Sequence, residues 1–320
     1  MSTSDIFVSI ACLSDPDLLS TIHDCIAKAT FPEKIRFGVC LQIAEDDEQY
    51  KILDHYSPIR TEIVPLEQVR GPIYARSRCE SLIDDEEFFL QIDCHSRFFS
   101  GWDVILVEEL LKAEQINPLS VISHYPLNMR DYDSSDCLDR IGHVNRYRYI
   151  GEDAIKSHGS LVNLPERPLP SLGISAAMLF MRSNLRQSFP YDPFLHFGLH
   201  AAEQVLYAVR LWTHGVDLFC PTQHSLATDY EGSRDRIPPS VKRLCSRQRQ
   251  SWPEATWSKV KFLLGLDEKQ YVDPAYKESL SESMRLYGIG SVRSLHDYYL
   301  FAGIHDKLKT VFPRYAYSHL

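Results

Sequence analysis

Short apolar runs with β-type spacing alternate with helical patterns along the first part of the chain. Residues 6–11 (Ile-Phe-Val-Ser-Ile-Ala) predict a buried first strand. Asp15 then reads as a helix N-cap with Pro16 at the first helical position, and Leu18, Leu19, Ile22, Cys25 and Ile26 recur at helical spacing. Residues 35–42 predict a second strand, residues 61–64 a weaker third, and the acidic run 45–48 a solvated turn between them. After Gly71-Pro72 a helix-compatible stretch, 74–82, leads through an acidic cluster at 84–87 into the strand 88–92; a helix over 102–113 and a strand over 121–123 follow. Strands and helices in this order predict an α/β sheet with crossover helices, whose functional groups sit at strand ends.

The second half is less regular. Residues 128–158 are polar, rich in aromatics and fit neither period, so they read as an insertion. Order resumes with the apolar run 174–181, an amphipathic helix over 201–212 and a short strand at 217–219, and beyond Pro238 the pattern is mainly helical. There is no internal repeat, heptad array or linker. The expected organisation is one catalytic domain, residues 1–237, with a helical extension, 238–320, packed on it.

Composition narrows the function classes. A hydrophobic share of 44% excludes a disordered or fibrous chain. A formal net charge of -9 argues against nucleic acid or an anionic membrane as partner, and the basic run 242–249 reads as a solvated helix face. No apolar run approaches the roughly 20 residues of a membrane span, and the N-terminus lacks the pattern of a signal peptide, so the expected location is cytoplasmic. The cysteines are scattered singly with no C-x-x-C pair, which predicts structural thiols rather than a zinc or redox site.

The most informative stretch is Leu90-Gln91-Ile92-Asp93-Cys94-His95, in which an apolar strand delivers Asp93 and His95 two positions apart at its end. Such a pair suits a divalent cation of the Mn²⁺ type, which accepts mixed carboxylate and imidazole ligands. Two bland roles stay open for it: a turn-capping Asp, and a His at the edge of the core. Arg76 suits bidentate contact with phosphate, or else a surface salt bridge to the acidic cluster at 84–87. Gln42, at the end of the second strand, is a candidate for the base or ribose of a nucleotide, and Trp102 for a sugar pocket or for the core.

Gly71-Pro72, Ala75-Arg76, Leu90 to Asp93, His95, Phe98 and Trp102-Asp103 occur in an order and spacing that resemble the cytoplasmic polypeptide N-acetylglucosaminyltransferases of the hydroxyproline-modifying type. A second block runs from Ile174-Ser175 and Phe180 through Phe189-Pro190-Tyr191-Asp192-Pro193 to Arg210-Leu211-Trp212-Thr213-His214-Gly215 and Asp217. A weaker echo is Tyr287-Gly288-Ile289-Gly290 with Arg293-Ser294-Leu295. The resemblance implies a GT-A architecture, a Rossmann-like mixed sheet with flanking helices. It also implies a UDP-sugar donor, Mn²⁺ or Mg²⁺, and retention of anomeric configuration on a protein hydroxyl.

The chain departs from that pattern at two places. Ala202-Glu203-Gln204 stands where the family reads Gly-Glu-Glu, which leaves Glu203 as the acidic candidate with Gln204 beside it; a Glu early in a helix also simply suits the helix dipole. Thr228-Asp229-Tyr230 stands where His-x-Tyr is expected, so the third metal ligand falls to His224, to Asp229 or to water, with His224 preferred. The two His of the 196–200 loop read as acceptor-loop residues. The expected set is therefore Glu203 and Gln204 for catalysis, Gln42, Arg76, Asp93 and Trp102 around the nucleotide sugar, and Asp93, His95 and His224 at the metal. The rivals are the same fold with another UDP-hexose or a glycan acceptor, and an inactive relative that only binds. No G-x-S-x-G elbow or P-loop supports a hydrolase.

Overall fold

The computed structural model describes residues 4–44, 58–134, 137–150, 154–197, 201–231, 237–251, 253–266, 283–305 and 310–312. The acidic run 45–48, residues 198–200 of the two-histidine loop and the side chains of 247–249 in the basic run lie outside the described residues.

The chain opens with β1 (Ile6–Leu13), α1 (Leu18–Lys28), β2 (Ile35–Ile43) and β3 (Ile59–Pro65), followed by α2 (Pro72–Glu80), β4 (Phe88–Asp93), β5 (Ser96–Phe98), α3 (Trp102–Glu114) and β6 (Ser120–Ile122). Next come β7 (Leu127–Asn128), the hairpin strands β8 (Arg140–Ile150) and β9 (Ala154–Asn163), β10 (Leu169–Pro170), β11 (Met178–Arg182) and α4 (Ser183–Ser188). A π-helical turn at Ala201–Val205 leads into α5 (Leu206–Thr213), then β12 (Asp217–Cys220) and β13 (Leu226–Thr228). The C-terminal part holds α6 (Pro239–Ser251), α7 (Pro253–Leu263), α8 (Leu295–Ala302) and the short pair β14 (Ile304–His305) and β15 (Thr310–Val311).

Eight strands form one mixed sheet in the order β10-β12-β6-β11-β4-β1-β2-β3. β4, β1, β2 and β3 run parallel, and β11 enters antiparallel to both β4 and β6. Both faces are covered, and the alternation of side chains along each strand sorts the core into two layers. Ile6, Val8 and Ile10 of β1 and Phe88, Leu90 and Ile92 of β4 pack with Leu18 and Ile22 of α1 and Leu106 and Leu110 of α3. Phe7 and Phe89 point the other way, toward Leu206 and Val209 of α5, Val260 and Leu263 of α7, and Tyr298 of α8. The C-terminal helices thus share the core of the sheet.

The chain runs outward from β1 through β2 to β3, then returns to the opposite side of β1 as β4. Adjacent strands whose connections diverge leave a crevice at their carboxyl ends, which is where open α/β sheets bind ligands. Here that crevice lies beyond Leu13 and Asp93.

Three local expectations are corrected, and the form of the apolar run 174–181, left open by its sequence, is seen. Asp15 is not the cap of α1: the helix starts at Leu18 with Asp17 in the capping position, and Asp15 is buried. The irregular insertion is largely a hairpin, with β8 and β9 paired from Arg140↔Asn163 to Ile150↔Ala154 and a bulge between Val144 and Arg146. The helix over 201–212 begins as a π-helical turn, a wider winding that often marks functional sites. The apolar run 174–181 is half strand, since β11 starts only at Met178. Among the described residues, no helix is long and apolar enough to cross a membrane.

The second and third blocks of the resemblance meet at the end of α5. Thr213 Oγ1 accepts the Gly290 N–H (2.7 Å) and donates to the Arg210 carbonyl (3.0 Å), while its own carbonyl accepts from the backbone N–H groups of Val292 (3.0 Å) and Arg293 (3.1 Å). A Cβ on Gly290 would fall 2.5 Å from the Thr213 backbone, so only glycine permits this approach. Arg293 stacks over Trp212 and bonds Asp217 (2.6 Å).

Candidate functional site

The end of β4 turns sharply into β5, and the turn is tied down from α1. Thr21 Oγ1 donates to the Cys94 carbonyl (2.9 Å) and accepts the Ser96 N–H (3.0 Å), while Ser96 Oγ donates to the Asp93 carbonyl (2.8 Å). Asp93 and His95 are thereby held on a rigid element rather than a free loop.

His95 is oriented from behind. Its Nδ1 lies 3.1 Å from Oδ2 of Asp15, which is 3% exposed and whose other oxygen accepts the Asp17 N–H (2.9 Å). A buried carboxylate at Nδ1 fixes the proton there and leaves the Nε2 lone pair free, the arrangement that commonly supports metal-binding histidines. That Nε2 lies 4.0 Å from Asp93 Oδ2. Two such atoms are within reach of one cation, since two bonds of about 2.1 Å span up to about 4.2 Å. Burial opposes protonation of His95, but the Asp15 hydrogen bond and the charges of Asp93, Asp15 and Asp229 outweigh it and raise its pKa.

Asp15, Cys94 and His95 form the group whose ligand atoms converge within 4.8 Å among the described residues. The thiol of Cys94 is held protonated by its hydrogen bond with Cys12 and then by burial, so Cys94 does not suit a cation. The Asp93 carboxylate, 28% exposed, and His95 Nε2 are the better donor pair, with Asp15 supporting them.

Arg76 is the hub of the site, not a surface residue. Gly71, at φ 93° and with no room for a Cβ beside the Phe197 backbone (2.8 Å), starts α2, and Pro72 takes its first position. Arg76, one turn on and 5% exposed, donates from Nη1 to the Ala176 carbonyl (2.7 Å) and from Nη2 to Asp93 Oδ1 (3.1 Å). Its Nε lies 2.7 Å from Glu203 Oε1, a buried ion pair. The expected alternative, a bridge to the acidic cluster at 84–87, does not form. Burial disfavours the cation, yet Glu203 and Asp93 keep the Arg76 pKa raised. For Glu203, burial and the Asp93 charge raise the pKa and Arg76 opposes them.

Gln42 stands at the end of β2, 3% exposed, and among the described residues none donates a hydrogen bond to its Oε1. A buried acceptor without a partner costs about 1–3 kcal/mol, and a water or a ligand N–H or O–H would relieve it.

Three expected residues lie elsewhere. Trp102 is fully buried, packs against Phe98 (4.8 Å) and donates from Nε1 to the Cys25 carbonyl (2.8 Å), which makes it a core residue. Gln204 accepts from Ser157 Oγ (2.6 Å) and serves as a strut to β9. His224 is not among the converging ligands: its Nε2 contacts the Arg140 carbonyl (2.9 Å), and its ring faces His124 and Phe99. Asp229 is nearer the motif, since its N–H bonds the His95 carbonyl (3.1 Å) and its charge acts on the His95 ring. Asp15 was missed as a site residue, although it lies two residues beyond the apolar strand β1, much as Asp93 closes the apolar strand β4.

The profile of the family described as "Glycosyltransferase (GlcNAc)" matches residues 51–308. No curated protein matches the sequence. The structure is similar to that of GalNAc-T7 with UDP, GalNAc and Mn²⁺, at TM-score 0.59 and 13% identity, covering 93% of this chain and 57% of that one. It also aligns with S. aureus TarS 1–349 in complex with UDP-GlcNAc, at TM-score 0.46 and 13% identity, over 93% of this chain and 79% of that one. At such identity the likeness to GalNAc-T7 is one of fold, the GT-A fold, and the chain spans little more than half of that protein's length.

Proposed function

We propose that this chain, which belongs to the glycosyltransferase (GlcNAc) family, transfers N-acetylglucosamine from UDP-GlcNAc to a hydroxyl of a protein, with retention, using a divalent cation held by Asp93 and His95. The observation that carries the reading is the convergence of Asp93, His95, Arg76 and Glu203 at the crevice where the strand order reverses.

Each side chain has a chemical task there. Gln42 Oε1 suits an N–H of the base, for which it is an acceptor in waiting. The Asp93 carboxylate and the His95 imidazole match Mn²⁺ or Mg²⁺, with Asp229 in place of His224 as the further protein oxygen. When bound, such a cation neutralises charge on the departing diphosphate. Arg76 holds Asp93 and Glu203 in register and supplies the positive charge that lets two carboxylates share a buried site. Glu203 orients sugar hydroxyls and offsets positive charge at the anomeric carbon. Gln204 has a supporting role through Ser157. Cys12, Cys25, Cys40, Cys79, Cys94, Cys137 and Cys220 are all free thiols, which supports a reducing, cytoplasmic setting.

The test is UDP release from a panel of UDP-sugars, with and without Mn²⁺, for the wild type and Asp93→Ala. Metal-dependent release that prefers UDP-GlcNAc and is lost in Asp93→Ala supports the reading. Preference for another UDP-hexose would replace the donor, and failure of the wild type to bind or turn over any donor would overturn the reading.

A further inference from the structure

We propose that the cleft between the β8–β9 hairpin and residues 125–128 is the acceptor site, and that it takes a hydroxyl-bearing stretch of an acidic polypeptide. The inference rests on the transferase reading above and deepens it.

The cleft encloses about 450 Å³ and is bordered by Tyr125, Arg140, Lys156, His158, His224 and Tyr230, with Asp131 as its single carboxylate among the described residues. It adjoins the strand-end crevice. Tyr230 tucks its hydroxyl against the Pro126 carbonyl (3.1 Å), where burial and then the Asp93 charge raise its pKa. On the other wall, Tyr125 Oη lies 3.1 Å from Ser157 Oγ, which bonds Gln204, the neighbour of Glu203.

One deep-set side chain in it calls for a hydroxyl. His224 is 8% exposed, and its Nε2, facing the Arg140 carbonyl, must carry the proton. The Nδ1 lone pair is then an acceptor, and no described residue donates to it. Burial keeps the ring neutral, as it does for the adjacent His124, whose pKa is pushed down to about 3. A neutral imidazole with an unused lone pair takes an O–H or N–H.

The hairpin supplies the charge. Arg146 pairs across the strands with His158, and Arg148 with Lys156, so three cations gather on one face around an imidazole, and Arg148 and Lys156 stand directly opposite each other with like charge. A like-charged cross-strand pair of this kind destabilises a hairpin by itself. Arg146, Arg148 and Lys156 form no ion pair with any described residue, and beyond burial their charges are what lower the His158 pKa. In a chain of net charge -9 this concentration of cations, uncompensated among the described residues, matches an anionic partner. The cleft also meets β9 as an unbroken run, Lys156 through Leu161, although strand side chains alternate faces, so backbone groups line it too. β9 has β8 as its single strand partner among the described residues, which suits an extended peptide.

The experiment is fluorescence anisotropy on the full chain with a labelled short peptide of alternating Glu and Ser, against its Gln-for-Glu counterpart and a single-stranded oligonucleotide. The wild type should bind the acidic peptide about tenfold more tightly than the neutral one at low salt, a difference of ~1.4 kcal/mol. Arg148→Glu with Lys156→Glu should bring the two peptides to near parity, and the milder Arg148→Gln with Lys156→Gln, a safeguard against misfolding, should shrink the preference. Equal binding of both peptides by the wild type, a preference that survives both variants, or an oligonucleotide that binds as tightly as the acidic peptide would overturn the proposal. UDP release without acceptor reports on the donor site alone: its loss with peptide preference intact counts against the transferase reading, and the reverse pattern counts against the acceptor cleft.

Discussion

At Thr213 a hydroxyl and a carbonyl serve four hydrogen bonds, and the segment from Gly290 to Arg293 docks on them with nothing left over. At the ends of β2 and β4, groups just as deeply placed are left unfinished: Gln42 Oε1 has no donor among the described residues, and Arg76 is stretched between Asp93 and Glu203. Both regions carry residues of the family resemblance, yet one spends its polar groups on itself and the other keeps them for something absent. Saturation marks a structural junction, and unspent polarity at a strand end marks a site.

The sharpest way to break this contrast is to remove a site carboxylate. Asp93→Ala should lower UDP release on the order of 10³-fold, as expected for the loss of a charge-stabilising ligand, while its melting curve stays close to that of the wild type. Arg76→Leu should be costly in both senses, losing about 10²-fold in turnover and about 3–5 kcal/mol of stability because Glu203 is left buried and unpaired. Adding Glu203→Gln should recover part of the stability, seen in urea unfolding, and none of the activity. Asp15→Asn should weaken Mn²⁺ binding about 10–100-fold by electron paramagnetic resonance titration, since it disturbs the support of His95.

The smaller effects separate the two regions. Gln42→Leu should raise KM for the UDP-sugar roughly tenfold with stability unchanged or up by about 1 kcal/mol, because it removes an acceptor that has no partner. Thr213→Val should do the opposite, costing about 1–2 kcal/mol by stranding the Gly290 N–H while kcat/KM of the folded protein holds. If Thr213→Val impaired catalysis more than Gln42→Leu, saturation would not be the mark that separates the regions.

Much of this was legible in the sequence, and the exceptions have physical causes. β1 and β4 stand out because both faces of the sheet are buried, and a run such as Phe88-Phe89-Leu90-Gln91-Ile92 admits no other use. Asp15 did not, because Asp-Pro ahead of a helix is a strong local signal, whereas its partner His95 is 80 residues away. The hairpin was hidden by its bulge at Val144/Arg146, which breaks the alternation, and by Gly142 and Gly159, where the Tyr125 backbone and ring leave no space for a side chain. Residue type alone also misplaced Trp102 and His224: an indole and an imidazole suit a sugar pocket or a metal, but the carbonyls of Cys25 and Arg140 claim them. For Glu203, Arg76 and Asp93, the family resemblance named the residues, and the fold supplied their contacts.

The most direct measurement is a crystal grown with UDP-GlcNAc and Mn²⁺, with anomalous scattering recorded at the manganese edge. The account predicts a peak at bonding distance from Asp93 Oδ2 and His95 Nε2, with the base against Gln42. A peak among Asp15 and Cys94 with Asp93 uninvolved, or a nucleotide bound away from Gln42, would contradict it.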